Sequence, residues 1–180
     1  MSKYALAYGG AAGAVVIAVI IVGIALSGGD AGHAGSAWLG YLIMLVALTL
    51  VFVGVKRYRD REKGGVIRFL PALGVGLSIA AVAGVVYVAL WEAYLAFTDY
   101  GFIRAYADAA LEAKKAKGLD AAALEAEAAR MEVLVRRYAN PLFRLPMTFM
   151  EIFPVGALIA LVSAAILRNP RAFPATRRAS

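Results

Sequence analysis

Cysteine is absent from the 180 residues, histidine occurs once, and charged side chains make up only 17%. Without cysteine there is no disulfide framework, no thiolate metal site and no cysteine nucleophile. The chain also lacks a Walker loop, a GxSxG elbow, an HExxH pair and a dinucleotide fingerprint. No active site assembles from its motifs, so the chain reads as a non-enzyme with no cofactor and no metal. The lone histidine, His33, sits in the glycine-rich run 27–36. With Asp30 three residues away it offers two ligands on a loop, too few for a firm metal site, and it reads as a solvated residue.

What is present is apolar: 62% of the chain is hydrophobic, more than a soluble globule of this size has polar surface to cover. Four stretches carry it. Tyr4 to Leu26 has 23 residues without a charge, Ala37 to Val55 has 19, and Phe69 to Trp91 has 23. At ~1.5 Å per residue each is long enough to cross a bilayer. The fourth, Ile152 to Leu167, has 16 uncharged residues and must borrow the preceding segment from Pro146 to reach full thickness. The expected spans are therefore about 4–26, 37–55, 69–91 and 147–167, in one membrane domain of residues 1–180. The first apolar run is far longer than the ~7–15 residues of a signal-peptide core, so it reads as an uncleaved helix.

Lysine and arginine beside span ends resist translocation and set orientation. One face collects Lys3, six cations between Lys56 and Arg68, and Arg168, Arg171, Arg177 and Arg178, whereas the 27–36 loop on the other face has none. This places both termini in the cytoplasm. Trp38 and Tyr41 at the start of span two, with Trp91, Tyr94 and Phe97 at the end of span three, fit the outer boundary.

Residues 98–145 change composition to Ala, Glu, Lys and Arg. Ile103, Tyr106, Ala110 and Ala113 line a first helix, which Lys117-Gly118 stops. Asp120 caps a second, with Leu119 and Leu124 placed as a hydrophobic staple, and Asn140-Pro141 ends it. Leu124, Ala128, Met131, Val135 and Tyr138 recur at helical spacing, the stripe of a helix that packs on something. The simplest arrangement is an outward helical hairpin whose stripe holds it together, rests on the membrane or docks a partner. Alternatively, the two helices extend spans three and four directly into the outer compartment. Leu124, Met131, Val135 and Tyr138 are the candidate partner face.

Glu92 and Glu151 are the only carboxylates embedded in apolar sequence. Both are expected at the outer edge. Facing each other, they could share a proton or hold a cation; separately, each reaches water or an outer arginine such as Arg144 or Arg104. No ionisable residue falls near the middle of any expected span, which argues against a proton-coupled transporter. The loop Lys56–Arg68, with Lys56, Arg57, Arg59, Arg61 and Lys63, is an orientation signal or a site for anionic lipid headgroups. The net charge of +7 has the same origin and carries no implication of nucleic-acid binding. Gly9 with Gly13, and Gly74 with Ser78, form small-residue ridges suited to close helix packing within the monomer or across a homo-oligomer. Pro71 fits the first turn of span three, and Pro154 fits the first turn of span four or kinks it.

The run Phe52-Val53-Gly54-Val55-Lys56-Arg57-Tyr58-Arg59-Asp60, then Gly64-Gly65, Phe69, Ala72, Leu73 and Gly76, resembles the bacterial membrane family catalogued as domain of unknown function 4199. So do Tyr138-Ala139-Asn140-Pro141-Leu142-Phe143 and Glu151-Ile152-Phe153-Pro154-Val155-Gly156. The likeness covers nearly the whole chain in the same order. It implies a small multi-pass protein of bacterial envelopes and draws attention to Tyr58, Arg59, Asp60, Glu151 and Pro154, but it assigns them no role and transfers no activity.

The expected protein is all-α and polytopic, with four transmembrane helices and an outward hairpin between helices three and four. Its expected setting is the bacterial cytoplasmic membrane. Its partners are the lipid bilayer and either a protein or a second copy of itself. Three roles fit: a non-enzymatic envelope interaction or assembly component, a small-solute or ion pathway using the outer-edge carboxylates, and an anionic-lipid-interacting protein.

Overall fold

The computed structural model describes residues 1–26 and 37–174. His33, Asp30, Arg177 and Arg178 lie outside the described residues, as does the side chain of Trp38. Among the described residues every regular element is helical. Helix α1 covers residues 2–26 and opens into one π turn at Ala5–Gly9; α2 is Ala37–Glu62, α3 Phe69–Phe97, α4 Phe102–Ala116, α5 Ala121–Tyr138 and α6 Pro141–Leu167. Four of these, α1, α2, α3 and α6, are long and apolar enough to cross a membrane, the make-up of a multi-pass membrane protein. At ~1.5 Å per residue the 29 residues of α3 reach ~43 Å, beyond the ~30 Å hydrocarbon core.

Helix α3 is the hub, packing on α1, α2 and α6. In lipid there is little hydrophobic drive between helices, so close packing depends on small residues that let backbones approach. Gly9 and Gly13 of α1 do this: a Cβ on Gly9 would lie 2.5 Å from the Ile79 carbonyl oxygen, and one on Gly13 would collide with that of Ala83. The other ridge behaves differently. Gly74 meets only the tip of Met1, and Ser78 bonds back to the Gly74 carbonyl at 2.7 Å, so this pair makes no close helix crossing. The α3–α6 crossing instead uses Gly76 against Ala160 and Gly156 against Ala80, one helical turn or less from the expected positions.

Two ties bring three chain segments to one end of the bundle. Glu62, at the end of α2, accepts a hydrogen bond from the Tyr4 hydroxyl at 3.0 Å and pairs with Lys3 at 2.7 Å. Arg59 binds the backbone beyond α6, where its Nη1 donates to the Ala172 carbonyl at 2.9 Å and its Nη2 to that of Phe173. The start of α1, the end of α2 and the C-terminal stretch therefore share a face, as an up-down order of four spans requires.

Helices α4 and α5 cover the opposite end. Gly118 takes a φ of +80°, the left-handed conformation that ends α4 at little cost. Asp120 then caps α5 by accepting from the Ala123 N–H at 2.7 Å. Lys114 pairs with Glu127, and Arg104 with Glu132 at 3.9 Å, so later residues of α4 meet earlier residues of α5 and the two run antiparallel. The Lys114 ammonium holds the Glu127 carboxyl below its ordinary pKa.

Candidate functional site

Helix α6 begins at Pro141, with Asn140 accepting from the Leu142 N–H at 3.0 Å, and it runs unbroken through Pro146 and Pro154. Pro154 thus lies inside the helix and not in its first turn. The change of boundary matters for the two acidic residues. Arg144, near the start of α6, makes a two-pronged bond to Glu92, with Nε to Oε1 at 2.6 Å and Nη2 to Oε2 at 2.7 Å. Its remaining Nη1 donates to the Tyr138 carbonyl at 2.8 Å. Its planar face lies 5.0 Å from the ring centre of Tyr100 and 5.6 Å from that of Tyr138. Asp99 and Tyr100 adopt left-handed φ values of 50° and 55° to turn the chain there. Arg144 is 3% exposed, and each of its three guanidinium nitrogens donates a hydrogen bond.

Glu151 is seven residues further along α6, ~10 Å deeper than Arg144. Its partner Tyr87 is five residues below Glu92 on α3, ~8 Å by the same rise. The two carboxylates therefore do not face each other as a pair at one edge. Glu92 is neutralised by Arg144, while Glu151 lies within the apolar length of α6. Its hydrogen bond comes from the Tyr87 hydroxyl at 3.3 Å, and among the described residues it forms no ion pair. Glu151 was expected at the outer edge of the fourth span, but because that helix starts at Pro141 it lies nearer the helix middle.

Glu151 opens into a cavity of about 330 Å³ whose wall is formed by Ile20 of α1, Tyr87 and Trp91 of α3, Met147 of α6, and Phe102, Ile103, Tyr106, Leu134 and Tyr138 of the α4–α5 cover. The aromatic wall is braced. Trp91 Nε1 donates to the Tyr138 hydroxyl at 2.8 Å in a buried bond, and the Trp91 ring meets Phe102 edge-on at 4.8 Å and stacks on Tyr94 at 5.3 Å. Burial raises the pKa of the Tyr138 phenol, which keeps its proton. Glu151 itself remains exposed toward this space. Glu92 lines a separate groove, between α3 and α6, that is otherwise apolar.

Other expected site residues are placed as follows. Tyr138 is buried, and Leu124, Met131 and Val135 are half-buried, so this stripe is in large part taken up by intramolecular packing. The buried acidic member of that helix face is Glu127, which the apolar stripe passed over. The basic segment needs a larger correction. Lys56, Arg57, Arg59 and Arg61 are helical, since α2 continues to Glu62, and only residues 63–68 form a connection. Arg59 is fully buried because the carbonyls of residues 172 and 173 and the carboxylate of Asp60 (2.7 Å) satisfy it. Lys56 pairs with Asp60 at 2.6 Å. Arg57, Arg61 and Lys63 remain exposed.

Tyr87, Trp91 and Phe102 were not among the candidate site residues. A signal was available in the spacing: Tyr87 and Trp91 are four apart on α3, Met147 and Glu151 four apart on α6, so each pair shares a helix face. What the spacing lacks is the registration of α3 against α6 and the return of α5 over both.

No curated protein matches the chain, and no solved structure does. The family model described as protein of unknown function DUF4199 matches residues 3–169. That span takes in all four apolar helices, the α4–α5 cover, Glu92, Arg144 and Glu151, and the chain belongs to the DUF4199 family.

Proposed function

We propose that this protein is a non-enzymatic component of the bacterial cytoplasmic membrane, with both termini inside, that binds a small ligand in the cavity beneath α4 and α5. The observation that carries the proposal is Glu151, which forms no ion pair among the described residues, on an aromatic-walled space of about 330 Å³, the lower end of the range for small-molecule sites. An ionisable side chain within a span is costly unless it serves a site. The orientation rests on the cation-rich face that carries Lys3, Arg57, Arg61 and Lys63.

The competing roles have less support. An ion pathway using both carboxylates loses Glu92 to Arg144, and anionic-lipid capture by the basic segment loses Arg59 and Lys56 to internal bonds. An assembly role draws on the helix ends beside the cover, where Phe97 of α3 is 90% and Leu142 of α6 83% exposed. Purification in mild detergent followed by native mass spectrometry separates these outcomes. The expected particle carries a small molecule that is lost when Leu134→Phe narrows the cavity. A heteromeric particle without a small molecule would replace ligand binding with assembly.

A further inference from the structure

Resting on the ligand-binding reading above, we infer that the Glu151 cavity is selective for an organic ammonium group, carried either by a freely diffusing amine or by the headgroup of an aminolipid. Three features converge. Glu151 is the one carboxylate in the cavity lining, and among the described residues its hydrogen bond comes from a tyrosine hydroxyl. Among the described residues no lysine or arginine lines the space, so the charge is not compensated from within the wall. Around it stand Tyr87, Trp91, Phe102, Tyr106 and Tyr138, whose ring faces attract a desolvated cation.

The neighbouring site shows what compensation looks like in this fold. Arg144 reaches Glu92 with two bonds and covers its own faces with Tyr100 and Tyr138. A guanidinium brought by the chain does for Glu92 what a ligand cation does for Glu151. The volume sets the size: at ~30 Å³ per heavy atom, about ten such atoms fill the cavity, enough for an ammonium group with a short apolar body. Anions are disfavoured by the same carboxylate, and neutral apolar molecules forgo the attraction.

Benzyltrimethylammonium and neopentylbenzene have the same shape and differ in charge, which makes them the appropriate pair of probes. The chain has two tryptophans, so in a Trp38→Phe background the fluorescence of Trp91 reports on the cavity wall. The protein would be titrated in nanodiscs of phosphatidylglycerol, with empty discs of the same lipid subtracted. The expected result is saturable binding of the cation, roughly tenfold or more tighter than the neutral probe, with that advantage abolished by Glu151→Gln. Equal binding of the two probes, or a preference unchanged by Glu151→Gln, would overturn the cation assignment while leaving a ligand cavity. Binding of neither would remove both readings. Adding phosphatidylethanolamine to the discs separates the sources: a weakened apparent affinity identifies the aminolipid headgroup as the occupant, and an unchanged one identifies a soluble amine.

Discussion

Glu92 and Glu151 are chemically identical and lie on neighbouring helices, yet the fold treats them in opposite ways. Glu92 is bound by a buried arginine whose three guanidinium nitrogens all donate hydrogen bonds. Glu151, ~10 Å deeper along α6, receives one long bond from a hydroxyl and faces open space. Removing a charge from water costs several kcal/mol unless partners replace the lost hydration. The first site meets that cost within the chain and so serves the fold. The second stays exposed to the cavity, so that cost is largely not incurred, and it leaves room for a cation from outside.

The comparison breaks most visibly at Arg144. Arg144→Met leaves Glu92 partly buried without its counter-charge, a loss of about 3 kcal/mol. At ~2–4 °C per kcal/mol this lowers Tm by roughly 6–12 °C. The double variant Glu92→Met with Arg144→Met should recover most of the loss, because packed apolar side chains can replace an ion pair of this kind. Thermal unfolding in one detergent tests both. A double variant as unstable as the single one would mean that the Tyr138 carbonyl and the Tyr100 ring, and not Glu92, are what Arg144 serves.

A second, smaller effect lies on the wall between the two sites. Trp91 and Tyr138 join α3 to the end of α5, and Tyr138 also covers Arg144. Trp91→Phe keeps most of the packing but removes the indole donor, so a loss of about 1–2 kcal/mol is expected. Because the wall faces the cavity, probe affinity at Glu151 should weaken as well. A stability loss with no change in binding would detach Trp91 from the ligand site.

How far the sequence discloses this arrangement depends on the range of the contact. Asp120, Gly118 and Asn140 announce helix ends because a cap or a left-handed residue acts within a few positions. The four spans are likewise legible, since length and lack of charge are properties of each segment alone. Arg59 was misread because the carbonyls that bury it are 113 and 114 residues away. Glu151 was placed too far out because Arg144 and Pro146 look like the end of a membrane helix. They are instead inside one, where the arginine is neutralised by Glu92 and the proline sits in a continuous helix. Gly76 and Gly156 were indistinguishable from other small residues until the registration of α3 against α6 selected them.

Glu127 supplies a third carboxylate that sharpens the contrast by adding water. It is paired like Glu92, with Lys114 and with Arg130 at 3.5 Å, but in the cover and outside the apolar spans. Its pKa is lowered, chiefly by the hydrogen bond from Lys114, so its contribution is present above the ordinary carboxylate value of 4.5. That contribution is lost as pH falls through the lower folded value. Glu127→Gln should therefore flatten the acid side of the stability profile slightly, and raised salt should do the same, since ions screen pairs near water. Neither treatment should move the Glu92–Arg144 contribution at neutral pH. An equal salt response at both sites would mean that water reaches the two alike.

The smallest stability effect is expected at Glu151. Replacing it with Gln removes a charge that the chain does not compensate and keeps the shape of the side chain, so stability should stay within about ±0.5 kcal/mol of the parent. The same substitution should abolish the preference for benzyltrimethylammonium. This divergence separates a carboxylate kept for a ligand from one kept for the fold: at Glu92 stability and structure fail together, whereas at Glu151 binding fails alone. If Glu151→Gln lowered Tm as much as Arg144→Met does, its single bond to Tyr87 would hold α3 to α6. The cavity would then be a by-product of packing, with no ligand required to explain the charge.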